Sequence, residues 1–437
     1  RGGDVGSGID DYAWIKFYNG SQTTADPFLL EHFGDDEDRP WLASMIGRGV
    51  PYAIMTYRYR PKYFNAVPST LFVSRGIPLY DIRKDSTNGG SGAQRWDDQS
   101  TWEPSDNAAV IIYNIIRGLS YQGEWFFGGQ NLAANRLPSS NWIAAANECA
   151  RQVAIKGDKT EAQFRAGLEI TGDMEPLEVI DSLRAACNGR IAEIGGSFKI
   201  QVGAFGAAVF SFTDADIIVT KGQSFEPFPA LDDTINQINI SYPNPDEKWG
   251  SKDGPALTAK QVNDAVTGKS LFEVDGNRVL AADVQFPAVP FDRQAQRLRR
   301  AMIKEERRFR THRFYLPPEA WVLEPNDVLS WSSDRNGYDN KRFIVTDIQG
   351  EATMNQLVTI REMDPADYDW SADFELPTTS GYLGPIEVPP QPMEGWTVVA
   401  AAIADAGGRG RRPAIVVTAA SNLAAYGRLD GCCSCYC

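Results

Sequence analysis

Apolar and polar positions alternate through the opening of the chain. Residues 12–18, YAWIKFY, read as a strand, and Asn19-Gly20 supplies a hairpin-type turn. Asp26 followed by Pro27 predicts a short helix over 26–33, with Asp26 as N-cap and Pro27 at the first helical position. Two apolar-rich runs, 50–61 and 69–76, predict further strands. The loop 85–104 is rich in Gly, Ser and Asp; no Gly-Lys-Ser/Thr closes it, so it is not a phosphate loop.

The period changes after residue 104. Ser105 is expected to cap a helix, DNAAVIIYNIIRG, that stops at Gly118. A second helix is expected over 140–154 and a strand over 164–170. Asp173 is expected to cap a third helix whose buried stripe is Leu177, Ile180, Leu183 and Cys187. Gly195-Gly196 joins two strands as a hairpin, so 105–207 reads as an α/β module.

Residues 208–370 read as a second β region. Strands are expected at 208–221, 234–242, 270–274 and 278–286, and four more follow a basic helix over 291–313. That helix carries Arg293, Arg297, Arg299, Arg300, Lys304, Arg307, Arg308, Arg310 and Arg313. Its apolar positions, Phe291, Ala295, Leu298, Ala301 or Met302 and Phe309, form a one-sided stripe suited to docking on a sheet. The arginines are then expected on an outward face, and Arg299, Arg300, Arg307 and Arg308 are the candidates for a subunit interface. Residues 371–395 read as a Pro-, Gly- and Thr-rich linker, and 396–437 as the start of another β-domain with a cysteine-rich tail.

Composition limits the chemistry. At 437 residues the chain has room for several domains of roughly 100–200 residues each. The net charge of −14 argues against broad nucleic-acid affinity, because phosphate contacts need positive potential. The absence of an 18-residue apolar run predicts no stable membrane insertion through a helical span. The start, RGGDVGSG, lacks a Met, and the chain is expected to be a portion of something longer or a processed form.

Candidate catalytic groups are few. His32 and His312 are the chain's histidines, and both read as structural or solvated. Gly268-Lys269-Ser270 resembles the end of a nucleotide-binding loop, but Asn263 stands where the earlier glycine is needed. The acidic run Asp35, Asp36, Glu37 and Asp38 reads as a solvated loop. Cys149 and Cys187 read as core thiols. The terminal Cys432, Cys433, Cys435 and Cys437, spaced CCxCxC, lack the paired spacing of a zinc knuckle and leave iron–sulfur ligation as the single metal alternative. The expectation is a non-enzymatic protein with no cofactor.

A series of motifs then carries a resemblance. GRGVPYAIMTYRY and STNGGSGAQRWDDQSTWEPSDNAAVIIYNIIRG come first, then GEWFFGGQNLAANRLPSSNWIAAANEC and FRAGLEITGDMEPLEVIDSLRAACNGRIAEIGGSFKIQVG. SFTDADIIVTKGQSFEPFP, HRFYLPPEAWVLEPNDVLSWSSDRNGY and IREMDPADYDW follow, in order, over roughly residues 10–370. Together they resemble the central tail-tip proteins of long-tailed phages, the baseplate hub and tip-attachment family, including its gene-transfer-agent branch.

The resemblance implies a mainly β, α+β fold: tail-tube-like β-barrel or sandwich domains with flanking helices, and a small inserted α/β module. It assigns 1–104 and 208–370 as tube-like domains, the first incomplete at its start, and a fibronectin-like beginning at 396–437. It also implies a homotrimer at the distal tip of the tail, in contact with the distal tail and tape-measure proteins and anchoring a fibre that reaches the host receptor. Such a hub closes the channel until DNA passes. Two alternatives are a tail-associated cell-wall or glycan hydrolase and a receptor-binding adhesin. The family usually continues into further β-domains, whereas this chain passes to AASNLAAYGRLDGCCSCYC.

Overall fold

The computed structural model describes residues 12–59, 66–68, 70, 72, 76–121, 124–230, 233–377, 397–404 and 411–418. The chain separates into two compact units, residues 1–78 and 79–437. The expected strand 69–76 and the terminal cysteines lie outside, or largely outside, the described residues.

In the first unit, β1 (Ala13–Asn19) pairs antiparallel with β2 (Pro51–Tyr57), and α1 (Pro27–Phe33) lies between them in sequence. Asp26 organises this unit. Its carboxylate caps α1 through Leu29 N at 3.0 Å and also accepts from Lys16 and Tyr18. Burial pushes the Asp26 carboxyl up, but those hydrogen bonds hold it below the ordinary range, and the same contact raises Lys16 to about 12. Tyr18 and Tyr52 stack across the hairpin with ring centroids 4.8 Å apart.

The second unit opens with α2 (Ala108–Arg117), which is buried almost all round. Its N-cap is Asn107, not the expected Ser105, with the side chain accepting from Val110 N at 3.2 Å. It ends at Gly118, whose φ of 107° and close approach to the Gly129 carbonyl leave no room for a side chain. The hairpin β3 (Leu119–Tyr121) and β4 (Glu124–Phe127) follows. Next come α3 (Ser139–Ala150) and the hairpin β5 (Gln152–Ile155) and β6 (Lys159–Ala162). The run 164–170, expected as a strand, is irregular and contributes a single bridge, Asn107 to Arg165.

α4 (Pro176–Ala186) begins after Glu175 rather than Asp173 and buries Val179, Leu183 and Ala186 while Leu177 is exposed. The predicted hairpin across Gly195-Gly196 is present as β7 (Gly189–Ile194) and β8 (Ser197–Val202). β9 (Phe210–Thr213) and β10 (Ser224–Glu226) are short. β11 (Gln237–Asn244) is the centre of a three-stranded sheet with β12 (Gly250–Asp253) and β13 (Ala281–Gln285). Residues 270–274 are helical, not a strand: Ser270 and Glu273 form a reciprocal capping box on α5 (Leu271–Val274).

α6 (Asp292–Glu306) is the basic helix. After it, β14 (Thr311–Leu316), β15 (Val328–Ser333), β16 (Tyr338–Gly350) and β17 (Gln356–Glu362) build a larger sheet. Its six strands run in the order β9-β15-β16-β17-β14-β10, parallel only at the β9–β15 edge. The sheet is open, and the described strands close no barrel; the two edges are short strands. β18 (Thr397–Ala404) and β19 (Arg411–Thr418) pair antiparallel in the region expected to start a β-domain.

Two principal cores result. The larger runs from Leu79 to Ile303 and joins α2, α3 and α4 with Ile238, Ile240 and Tyr242 of β11 and with Ala295 and Leu298 of α6. Fully burying side chains such as Trp142, Tyr113 and Ile112 contributes roughly 1.5–3 kcal/mol each. The second core belongs to the six-stranded sheet and centres on Trp331, stacked on Phe212 at 5.3 Å and flanked by Phe314, Tyr338 and Phe343.

Candidate functional site

α6 is the most charged element of the described chain, and its packing explains where the charges go. Its interior-facing row contains the expected Ala295, Leu298 and Ala301, and Ile303 joins them. Polar side chains are buried as well. Gln294, fully buried, accepts from Arg165 N at 2.9 Å and donates to the carbonyls of Arg165 and Ala186 at 2.7 and 2.8 Å. One side chain thus satisfies three backbone groups where α4 and the 164–170 segment meet the helix.

Most arginines of this stretch bond within the chain rather than forming a wholly outward face, while Arg313 is exposed. Arg297 is buried and donates to Glu161 at 2.6 Å and to the Gln163 carbonyl at 2.9 Å. Arg299 is 1% exposed, donates to the Pro255 carbonyl and leaves its Nε without a partner. Burial pushes its pKa down to about 10. Arg307 grips Asp275 with two bonds of 3.1 and 2.9 Å. Arg308 holds Asp367 at 2.8 and 2.7 Å and reaches Asp364 at 3.1 Å. Its pKa is raised, chiefly by the bond to Asp367. Arg293 pairs with Glu375 at 2.8 Å, whose other oxygen accepts from Lys156 N at 3.0 Å.

Arg299, Arg300 and Lys304 form no ion pair among the described residues. Arg300 rests its guanidinium on Phe374, 3.5 Å from the ring centroid, and burial lowers its pKa. Lys304 donates to the Ala366 carbonyl at 3.1 Å; burial and the nearby Arg300 lower it too. Beside this stretch lies a cavity of about 460 Å³ lined by Phe164, Asn188, Arg297, Arg300, Tyr368 and Trp370, among others. The arrangement fastens the segment 364–376 onto α6 and β5–β6; it does not converge on a reacting centre.

The other candidates are dispersed. His32 is exposed at the end of α1, where Phe28 packs against it at 4.3 Å. His312 is buried in the six-stranded sheet, with Phe225 stacked at 4.3 Å and Tyr338 Oη 3.0 Å from Nε2. Burial, with Arg335 and Arg310 nearby, lowers its pKa to about 4. Cys149 and Cys187 are both buried free thiols, and their contact together with burial pushes Cys187 up. The acidic loop Asp35–Asp38 is mostly exposed. Among the described residues no three His, Cys, Asp or Glu side chains are grouped to hold a metal ion, and no helix is long and apolar enough to cross a membrane. Sequence reasoning missed Gln294, whose partners Arg165 and Ala186 are distant in sequence, and Asp275, Asp367 and Glu375, each far in sequence from the arginine it holds.

No curated protein matches the sequence. Among solved structures, the virion of a native gene transfer agent particle contains a chain similar to this one. The TM-score is 0.47 at 15% identity, with 82% of this chain and 76% of that chain covered. The 43 kDa tail protein of prophage MuSo2 from Shewanella oneidensis aligns with a TM-score of 0.28 at 14% identity over 47% of this chain and 56% of that one. Prophage tail protein gp18 from Listeria monocytogenes EGD-e aligns with a TM-score of 0.24 at 12% identity, over 42% and 52%. The family described as putative phage tail protein matches residues 175–348, from α4 into β16 of the six-stranded sheet. That match supports a phage tail protein.

Proposed function

We propose that the chain is a non-enzymatic structural protein of the virion, a trimeric hub at the distal end of a phage or gene-transfer-agent tail. In this reading it closes the tail channel, contacts the distal tail and tape-measure proteins, anchors the receptor-binding parts and opens for DNA. The observation that carries it is the family match over residues 175–348, which takes in α6 and most of the six-stranded sheet. The construction suits the role. The ion pairs and hydrogen bonds of α6 and the residues just after it reach the sheet through Arg361 and Glu362, the helical core through Gln294, and the 364–376 segment through Asp367 and Glu375, as a load-transmitting subunit requires.

The net charge of −14 suits a conduit, since a negative wall lets duplex DNA pass without binding. The outward role first expected of Arg299, Arg300, Arg307 and Arg308 narrows to Arg300, the half-buried member without an acidic partner in the described chain. Gold-labelled antibody against the purified chain, applied to intact particles, tests the placement. Label at the free end of the tail supports a hub; label along the tail or on the head contradicts it.

A further inference from the structure

A second cavity lies well away in sequence from α6, at the end of α2. It is a groove of about 670 Å³, within the range of ligand clefts, lined by Trp96, Trp125, Asp97, Asp98, Gln130 and Asn131, among others. Gly118 forms part of the lining, where the backbone of the α2 terminus and Gly129 meet too closely for any side chain.

The two indoles are fixed before any ligand arrives. Trp96 Nε1 donates to Asn131 Oδ1 at 3.2 Å, and the Arg117 guanidinium covers its ring at 3.8 Å from the centroid. Tyr80 and Trp102 brace Trp96 at 5.5 and 5.2 Å. Trp125 Nε1 donates to the Gly129 carbonyl at 3.0 Å, yet the residue is 52% exposed. Trp125 thus offers a solvent-facing indole whose nitrogen is already satisfied, a surface on which an amphipathic ligand can pack.

The polar lining identifies the class of cover. Asp97 and Gln130 are exposed and make no side-chain hydrogen bond among the described residues. One oxygen of Asp98 accepts from the amide and hydroxyl of Ser100. Among the described residues no lysine or arginine lines the groove. Single-stranded nucleic acid needs aromatic platforms with positive charge, and this groove offers aromatic platforms with two carboxylates. A phosphate or uronate is repelled for the same reason. A neutral pyranose fits both halves: its C–H face packs on an indole while its hydroxyls donate to carboxylates and bond with amides.

We infer that the groove between Trp96 and Trp125 binds a neutral oligosaccharide, as a recognition site without hydrolysis. This stands independently of where in the tail the subunit sits.

The test uses the full chain and a panel of neutral tetrasaccharides, maltotetraose, cellotetraose, mannotetraose and chitotetraose, with tetragalacturonate as the charged comparator. Saturation-transfer NMR and tryptophan fluorescence read binding. The expected result is saturable binding of at least one neutral member, none of the uronate, and a loss of about tenfold in affinity in Trp125→Ala. Asp97→Ala, an exposed substitution, keeps the test open if Trp125→Ala disturbs the hairpin, and it is expected to weaken binding severalfold. The inference is overturned if no neutral sugar binds, if both variants bind as the parent does, or if the uronate binds as tightly as the neutral sugars.

Discussion

Arg308, just beyond the C-terminal end of α6, holds Asp367 with two parallel hydrogen bonds of 2.8 and 2.7 Å, and both side chains are largely buried. The pair ties the basic helix to the segment that follows the six-stranded sheet. Removing one partner leaves the other charge buried and alone, the costly case for an ion pair. Asp367→Ala is expected to lose about 3 kcal/mol in urea denaturation. A loss under about 0.5 kcal/mol would mean that the pair behaves as an exposed surface bridge.

Arg299 makes the opposite prediction. It is buried, bonds a carbonyl and has no carboxylate partner among the described residues. Replacing it with Met removes a desolvated charge and keeps most of the volume, so Arg299→Met should lie within about 1 kcal/mol of the parent or be more stable. Arg299→Glu should cost about 3–5 kcal/mol, because an acid would be buried where a carbonyl oxygen now accepts. Reversing Arg299, Arg300 and Arg307 together is therefore expected to unfold the subunit, and an assembly defect in that variant would follow from instability.

His312 predicts a pH response. Its folded pKa is about 4, below the ordinary value of 6.5, because burial and neighbouring cations disfavour the charged form. Between these values the unfolded chain binds a proton that the folded chain does not, so stability falls as pH drops through 6.5 and levels off near 4. Allowing for partial solvent screening, the loss attributable to this residue is about 2 kcal/mol. His312→Phe should flatten that part of the stability–pH curve relative to the parent; an unchanged slope would contradict the assignment.

Gly118 is a steric prediction. A Cβ there would stand 1.7 Å from the Gly129 carbonyl oxygen, with φ at 107°. Gly118→Ala should cost about 3 kcal/mol and broaden the unfolding transition, since the end of α2 must move. A substitution tolerated within about 0.5 kcal/mol would show that this approach is loose.

What could be read from the sequence follows the range of the determining contact. The short helix at Asp26-Pro27, the end of α2 at Gly118 and the hairpin at Gly195-Gly196 depend on residues a few positions apart, and all three appear as expected. Ser270–Glu273 carries an equally local capping signal, and the apolar run there, which reads as a strand, is helical. The orientation of α6 could not be read this way. Nine cationic residues look like a solvated face until Glu161, Asp275, Asp367 and Glu375 arrive from distant segments. The sheet was legible as strands, but its open order was not, because pairing β9 in parallel with β15 joins segments far apart in sequence.

The central claim is a place in a particle, and a density map of the intact virion with this subunit fitted tests it most directly. The account predicts three copies around the axis at the free end of the tail, with the six-stranded sheets continuing the tail tube. Copies at the periphery of the tip, along the tail or in the head would contradict it.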